Sequence, residues 1–135
     1  MREILFRGKR EDNGKWVYGY YVKLPDAAGS VCFMHVPASN PDERNTAHYV
    51  ALETVGQFTG LTDKNGVKIF EGDIVRLWGN GNNLKGVVEY SEAVWWVRLK
   101  ECRTYLLDLY DESVIIGNIY DNPELIGGEE NAEIH

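Results

Sequence analysis

Turn-forming residues recur at short intervals between residues 53 and 78, and no other feature constrains the fold as strongly. Gly56, Gly60, Gly66 and Gly72 divide this block into short apolar segments rich in β-branched and aromatic residues. Position 66 follows an asparagine, and Asn-Gly is the strongest two-residue hairpin signal because both positions tolerate positive φ. The block therefore predicts short antiparallel strands joined by tight turns.

The rest of the chain repeats this pattern. Asn13-Gly14 separates residues 4–6 from residues 16–22, which predicts a first hairpin. Residues 86–90 and 94–99 predict another hairpin around Ser91-Glu92. Further apolar runs occupy residues 31–36, 48–52, 67–70, 74–78, 105–109 and 114–120. We expect a mainly β fold in which antiparallel hairpins form a small barrel-like (SH3-like or similar) domain.

Helix is expected to be scarce. Helical spacing is absent apart from a short window over residues 104–112, and Asn122-Pro123 predicts a short helical turn with the asparagine as its N-cap. Residues 79–83 consist of glycine and asparagine and predict a loop.

The length of 135 residues predicts one domain, which we place at residues 1–126. Residues 25–47 are punctuated by three prolines and Gly29, and they predict an irregular, variable inserted segment. Residues 127–135 are acidic with little apolar content, so they predict a flexible tail.

The sequence favours a cytoplasmic protein. No apolar run approaches the roughly 20 residues that a membrane-spanning helix needs. Residues 1–7 lack the apolar core and cleavage site of a signal peptide. Cys32 and Cys102 are too few to indicate a disulfide framework, and both are expected to stay reduced in the cytoplasm.

The net charge of −7 is spread unevenly along the chain. Residues 1–24 carry six basic and three acidic side chains, whereas residues 108–135 carry eight acidic side chains and no Lys or Arg. Because Lys and Arg supply most non-specific affinity for nucleic acid, the overall balance disfavours that ligand. Nucleic-acid binding stays an alternative because the N-terminal stretch is basic.

No catalytic residue, metal site or cofactor is predicted. The chain has no nucleophile elbow and no phosphate-cradling glycine loop. The possible metal ligands are Cys32, His35, His48 and Cys102. The odd spacing from Cys32 to His35 would place these side chains on opposite faces of a strand, and the paired knuckles of a structural zinc site are missing.

Adjacent aromatic residues, Tyr20-Tyr21 and Trp95-Trp96, are the first candidate binding residues. Neighbouring strand residues face opposite sides, so one of each pair can be exposed and anchor an interface. In the alternative interpretation both faces are covered, one by the core and the other by the inserted segment or a second subunit.

Asp63 and Asn65 are the second candidates, because loops on a rigid scaffold commonly carry function. The alternative is turn chemistry, in which Asp63 and Asp73 bond nearby backbone amides. The turn is not a calcium loop, since it lacks the remaining ligand spacing and the closing glutamate.

Several segments of the sequence resemble those of a known family. Its signature covers residues 53–75, and the matching outlying pieces are residues 4–9, 16–19, 86–90 and 116–125. In order and spacing these segments resemble the YopX family of small proteins encoded by bacteriophages and prophages. The resemblance implies a phage or prophage origin and a β-rich fold with a barrel-like part. It implies no enzymatic activity, and it supplies no functional residues.

We therefore expect a non-enzymatic phage or prophage accessory protein that binds another protein or a second copy of itself. The alternative is a nucleic-acid-binding β-barrel in phage DNA metabolism or regulation, with Trp or Tyr faces for stacking. Its candidate phosphate contacts are Arg2, Arg7, Lys9, Arg10 and Lys15.

Overall fold

A computed structural model of the chain describes residues 3–26, 29–36, 46–79 and 82–126. Over these residues the protein is mainly β, as predicted. The strands are β1 (Phe6–Lys9), β2 (Trp16–Asp26), β3 (Gly29–Val36), β4 (Thr46–Tyr49), β5 (Gly56–Thr62), β6 (Lys68–Phe70), β7 (Asp73–Gly79), β8 (Asn82–Ser91), β9 (Val94–Arg98), β10 (Arg103–Tyr105) and β11 (Val114–Asn118). Short 3-10 turns cover Leu52–Thr54, Leu106–Asp108 and Tyr110–Glu112, and residues 124–126 form one helical turn.

The chain divides into two compact units, Met1–Phe58 and Thr59–His135. In the first unit, neighbouring strands follow the order β4-β3-β2-β1-β5. In the second unit, the end of β5 pairs with β6, and a separate antiparallel sheet has the order β10-β9-β8-β7-β11. Both orders are linear over the described residues, so the barrel-like, SH3-like arrangement is not confirmed. The extent of a single domain over residues 1–126 stays a prediction.

The first predicted hairpin is confirmed. Lys9 of β1 pairs with Trp16 of β2, and Gly14 takes a left-handed conformation with φ of +70° in the turn between them. The Arg10 N–H donates to the Lys15 carbonyl at 2.9 Å and closes the turn. The first strand begins at Phe6 instead of Ile4.

An ion pair in this turn has a measurable consequence for pH dependence. The Nε and Nη2 atoms of Arg10 donate to the two carboxylate oxygens of Asp12 at 2.9 and 2.6 Å. These hydrogen bonds lower the pKa of the Asp12 carboxyl below its ordinary value. A depressed folded-state pKa means that the stabilisation is present above the unfolded pKa and is lost as pH falls through the folded pKa.

We expect Arg10→Gln to raise the pKa of Asp12 towards the ordinary value, because the guanidinium is its main perturbing group. Titration of the carboxyl carbon by NMR measures this directly. The effect on stability should be small, since exposed ion pairs contribute little. An unchanged Asp12 pKa in the variant would contradict the assignment.

The described part of residues 25–47 is regular. β2 and β3 form a continuous antiparallel ladder from Tyr20 opposite His35 to Asp26 opposite Gly29. The strand indicated by the apolar run at residues 31–36 is confirmed and begins earlier, at Gly29, whereas the expectation of irregular structure is wrong at residues 25–26 and 29–30, because a proline near a strand end need not disturb the ladder. Residues 27–28, residues 37–45 and the predicted tail at 127–135 lie outside the described residues. That the segment is an insertion stays a prediction.

Each unit has its own apolar core. In the first unit, Met34 and Val50 are fully buried among Phe6, Val17 and Val55. The second unit has a larger cluster, formed by Ile69, Val75, Leu77, Val88, Val97 and Leu106. Most of that cluster comes from one face of β7, β8 and β9, where register places Val88 directly opposite Val97.

The predicted loop at residues 79–83 is replaced by strand over most of its length. Gly79 pairs with Asn82, and Trp78 pairs with Asn83, so β7 and β8 run to within two residues of each other. Residues 80–81 lie outside the described residues. Asparagine favours loops through its side chain and glycine through its backbone freedom, but the backbone ladder needs only N–H and C=O groups, which both residues have.

The C-terminal elements differ partly from prediction. The apolar run that begins at residue 114 forms a strand, β11. Residues 104–112, where helical spacing was noted, instead form the end of β10 and two 3-10 turns. A helical turn follows Asn122 as expected. Its Oδ1 accepts from the Asn118 N–H at 3.2 Å, so the side chain stabilises the preceding turn and not the helix start. Within the described ranges, no helix is both long and apolar enough to cross a membrane.

Candidate functional site

The β8–β9 hairpin positions the two candidate tryptophans. Ser91 pairs with Val94, and the two residues between them, Glu92 and Ala93, both have positive φ, at 55° and 64°. Two consecutive left-handed residues are typical of the tight turn whose twist matches antiparallel strands. This turn fixes the register, which places Tyr90 opposite Trp95 and Glu89 opposite Trp96. The predicted hairpin is confirmed.

Trp95 and Trp96 lie on opposite faces of this sheet, as expected for neighbouring strand residues. Trp95 is on the core face, where it packs against the apolar cluster of the second unit, and its ring centroid is 4.9 Å from that of Tyr90. Trp96 is on the other face, which we call the outer face and which also carries Glu89 and Arg98.

Trp96 is held by three neighbours on the outer face. Its Nε1 donates to the Ser91 carbonyl at 2.9 Å. The ring stacks on Tyr105 with a centroid separation of 4.8 Å and an angle of 21°, and the Arg103 Cζ lies 3.8 Å from the indole centroid. Arg103 in turn donates to Glu92 at 2.6 Å. These contacts form an ordered aromatic and cationic stack.

A recess of about 580 Å³ opens beside the tip of the β8–β9 hairpin. We call it the hairpin groove, and all of its lining residues belong to the second unit. They are Thr59, Leu61, Ala93, Val94, Trp95, Tyr105, Leu107 and Asp108. The Leu107 residue is 68% exposed and Tyr105 is 50% exposed. The groove thus combines an apolar wall with a prominent exposed leucine at its rim.

Tyr20 and Tyr21 belong to the first unit and are not among the groove residues. They stand on β2 opposite His35 and Met34. Both are exposed, and the Tyr21 ring meets Phe6 edge-on with a centroid separation of 4.8 Å. Their role in binding stays a prediction.

Asp63 is a structural residue of the β5–β6 turn. It is only 5% exposed, and its Oδ1 accepts the N–H groups of Asn65 and Val67 at 2.8 and 3.0 Å. Its Oδ2 accepts the N–H of Ile115 at 3.0 Å. The interpretation as turn chemistry is confirmed here, and likewise at Asp73, whose Oδ2 accepts the Phe70 N–H at 2.7 Å. Asn65 is exposed, and its role in binding stays a prediction.

One of the basic candidates near the N-terminus is buried, and the phosphate-binding role of the others stays a prediction. Arg7 is only 6% exposed, and its Cζ lies 4.7 Å from the centroid of Trp16. Its assignment as a phosphate contact is wrong because the guanidinium is buried. Arg10 forms an ion pair with Asp12, whereas Lys15 is exposed. Arg2 lies outside the described residues.

Among the residues that the structure describes, no three His, Cys, Asp or Glu side chains come together in a way that could hold a metal ion. Cys102 is exposed, and His35 and His48 are half-buried. The side chain of Cys32 lies outside the described part of the structure.

Three residues of the site, Tyr90, Tyr105 and Leu107, were not anticipated from the sequence. Tyr90 could have been found from the sequence, because a two-residue hairpin turn at residues 92–93 places it directly opposite Trp95. Tyr105 reaches Trp96 only through the connection between β9 and β10, which closes with the Leu99 N–H donating to the Cys102 carbonyl at 2.7 Å. No turn signal marks that connection. Leu107 looks like an ordinary core residue in the sequence.

Comparison with known proteins places the chain in a family. A search of curated proteins finds no match. The crystal structure of protein EF1440 from Enterococcus faecalis is similar to this chain, with a TM-score of 0.55 and 25% identity over 93% of this chain and 99% of that one. The family model described as YopX protein matches residues 5–127. The chain therefore belongs to the YopX family.

Proposed function

We propose that this protein is a non-enzymatic phage or prophage accessory protein that acts in the bacterial cytoplasm by binding another protein through the hairpin groove. The groove beside Trp95, Tyr105 and Leu107 is the observation that carries the proposal. The non-enzymatic part rests on the sequence, which has no nucleophile elbow and no phosphate-cradling loop. The phage setting rests on the family resemblance.

The groove has the physical properties of a docking site for an apolar side chain. Its volume of about 580 Å³ falls within the range of ligand-binding clefts. Trp95 is fixed by Tyr90 and by the core, and Tyr105 is fixed by stacking on Trp96. Because these rings are already ordered, little conformational entropy is lost when a partner side chain inserts between them.

A second copy of this chain is the occupant that the groove favours first. Leu107 is exposed at the rim of the recess that it helps to line. In a twofold-symmetric contact, each copy offers the same surface to the other, so a protruding group and a recess in one patch can be mutually complementary. Leu107 of each copy would then enter the groove of its partner.

We expect Leu107→Glu to weaken this association by about tenfold or more, because a buried leucine contributes about 1.5–3 kcal/mol and a buried carboxylate opposes binding. Light scattering and sedimentation over a wide range of micromolar concentrations measure the dimer directly. Val67→Glu is the matched control, since Val67 is also exposed and in the second unit but does not line the groove. This control should associate like the unaltered protein.

A protein that stays monomeric at every concentration would exclude the second copy as occupant. Capture of proteins from a bacterial host lysate then shows whether the groove binds a different protein or no protein. The proposal requires a protein that binds the unaltered chain and Val67→Glu but is lost with Leu107→Glu. If all three capture the same proteins, the groove is not the binding site.

A further inference from the structure

The strand β4 is the outermost strand of the first unit's sheet, and part of its edge is covered by the first hairpin. On one side β4 pairs with β3. On the other side, the Glu11 N–H donates to the Tyr49 carbonyl at 3.1 Å. The chain then turns back at Asn13-Gly14 to begin β2. The segment that covers the end of β4 therefore leaves this edge at Tyr49, before it reaches Ala47.

Ala47 has its backbone N–H and C=O on the edge that the hairpin leaves uncovered. Backbone groups alternate in direction along an antiparallel strand, so those of Ala47 point the same way as those of Tyr49, away from β3. Among the described residues, neither group has a partner on that side. A recess of about 430 Å³ lies there between the hairpin turn and β4. We call it the β4 recess, and it is lined by Arg10, Glu11, Asp12, Ala47, His48 and Tyr49.

The composition of β4 does not protect this edge. Outermost strands can pair with another chain, and proteins usually prevent this with charged residues, a bulge or a very short strand. The other outermost strands of the described sheets show such protection. β6 and β10 have three residues each and carry Lys68 and Arg103, and β11 has a register shift between Ile115 and Gly117. β4 contains no acidic, Lys, Arg or Pro residue, and its ladder with β3 is unbroken.

One face of β4 continues into a patch of exposed apolar side chains. Register through β3 places Ala47 in line with Tyr20 of β2, and Tyr49 in line with Val22. Residues in line across a sheet share a face, and Tyr20, Val22 and Tyr49 are all exposed. We call this surface the tyrosine face. A strand added beside Ala47 would place every second side chain next to it.

We infer that β4 binds an extended peptide segment of another protein by strand addition, with main-chain hydrogen bonds to Ala47. In this mode, main-chain bonds supply affinity, and alternate side chains supply specificity. Apolar side chains of the peptide would contact the tyrosine face. The β4 recess is lined by two carboxylates and one guanidinium, which is paired with Asp12, so a Lys or Arg of the peptide would complement Glu11.

This inference goes beyond the proposed function, because the residues of β4 and its recess belong to the first unit and do not line the hairpin groove. The probe is a random-sequence peptide library displayed on phage particles and selected on the full-length protein, with counter-selection on Ala47→Pro. Proline is tolerated on an edge strand where its N–H would face outward, so Ala47→Pro should fold with an unchanged circular dichroism spectrum. We expect enriched peptides with alternating apolar residues and a Lys or Arg.

The selected peptide is then synthesised with a fluorescent label, and its affinity is measured by anisotropy. Ala47→Pro should weaken binding by about tenfold or more, because it removes a main-chain donor and places a ring at the contact. Ala47→Ser is the matched control, since it keeps the N–H at the same position and should bind like the unaltered protein.

N-methylation of the peptide, one residue at a time, tests main-chain pairing directly. It removes an N–H without changing the side chain, and the residues that bond to β4 alternate along an added strand. We expect a loss of about tenfold at the residue opposite Ala47 and little change at its immediate neighbours. Glu11→Gln should weaken binding of the basic peptide by about threefold. Glu53→Gln, which is exposed in the same unit but outside the recess, should change little.

The outcomes distinguish this inference from the proposed function. Leu107→Glu alters the hairpin groove in the second unit and should leave peptide binding unchanged. The inference is overturned if no peptide is enriched on the unaltered protein relative to Ala47→Pro, or if N-methylation is tolerated at every residue of the selected peptide. It is also overturned if Ala47→Pro abolishes self-association, since a second copy of this chain would then be the occupant of β4.

Discussion

Replacing Asp63 with alanine is expected to lower the free energy of unfolding by about 4 kcal/mol, because three backbone N–H groups lose a charged acceptor in a buried site. The carboxylate accepts from Asn65 and Val67 within its own turn and from Ile115, which is 52 residues away along the chain. Its loss therefore disturbs both the turn and the start of β11. Urea unfolding monitored by tryptophan fluorescence measures the change.

Asp63→Asn separates the local and long-range parts of this effect. The amide keeps one carbonyl oxygen, which can still accept from Asn65 and Val67, but its NH₂ group then faces the Ile115 N–H donor. We expect an intermediate loss of about 2 kcal/mol, with the increase in amide hydrogen exchange concentrated at Ile115.

Asp111→Ala is a suitable control, because this aspartate is exposed in a 3-10 turn of the same unit. A surface substitution of this kind should change stability by no more than about 0.5 kcal/mol. An equal effect of Asp63→Ala and Asp111→Ala would show that the buried hydrogen bonds of Asp63 contribute little.

Asp63 also illustrates how far the sequence predicts this structure. The Asp-Lys-Asn-Gly turn and the role of the aspartate within it follow from local chemistry, since each partner is at most four residues away. The bond to Ile115 depends on how β11 is placed against β7, and no local pattern specifies that pairing. The same distinction explains why hairpins at Asn13-Gly14 and Ser91-Glu92 were predicted, while the order of strands in the sheets was not.

In the candidate site too, local features were predictable from the sequence and long-range contacts were not. Alternation along β9 correctly assigned Trp95 and Trp96 to opposite faces, because that property is local. Sequence spacing did not identify Tyr105 as the residue that stacks on Trp96, since their contact depends on the irregular connection between β9 and β10. Likewise, charge alone suggested Arg7 as a surface cation, but its burial depends on packing against Trp16.

Gly86→Ala is expected to destabilise the protein by about 3 kcal/mol, because the second unit's core has no space for a methyl group at this position. A Cβ at residue 86 would lie 2.5 Å from Val97 Cγ1 and 2.9 Å from Leu99 Cδ2. It would also lie 3.1 Å from the carbonyl oxygen of Arg98, which is backbone and cannot rotate away. Relief therefore requires β8 and β9 to move apart. Chemical denaturation measures the loss.

A double-mutant cycle with Val97→Ala tests this steric explanation. Val97→Ala alone should cost about 2.5 kcal/mol, because it leaves a cavity in a fully buried cluster. In the double variant, the new methyl at position 86 occupies part of that cavity and no longer meets Cγ1. The combined loss should therefore fall short of the sum of the two single losses by more than about 1 kcal/mol. Strict additivity would mean that Gly86 is required for a reason other than its contact with Val97, and the remaining contacts with Leu99 and the Arg98 carbonyl would then account for the cost.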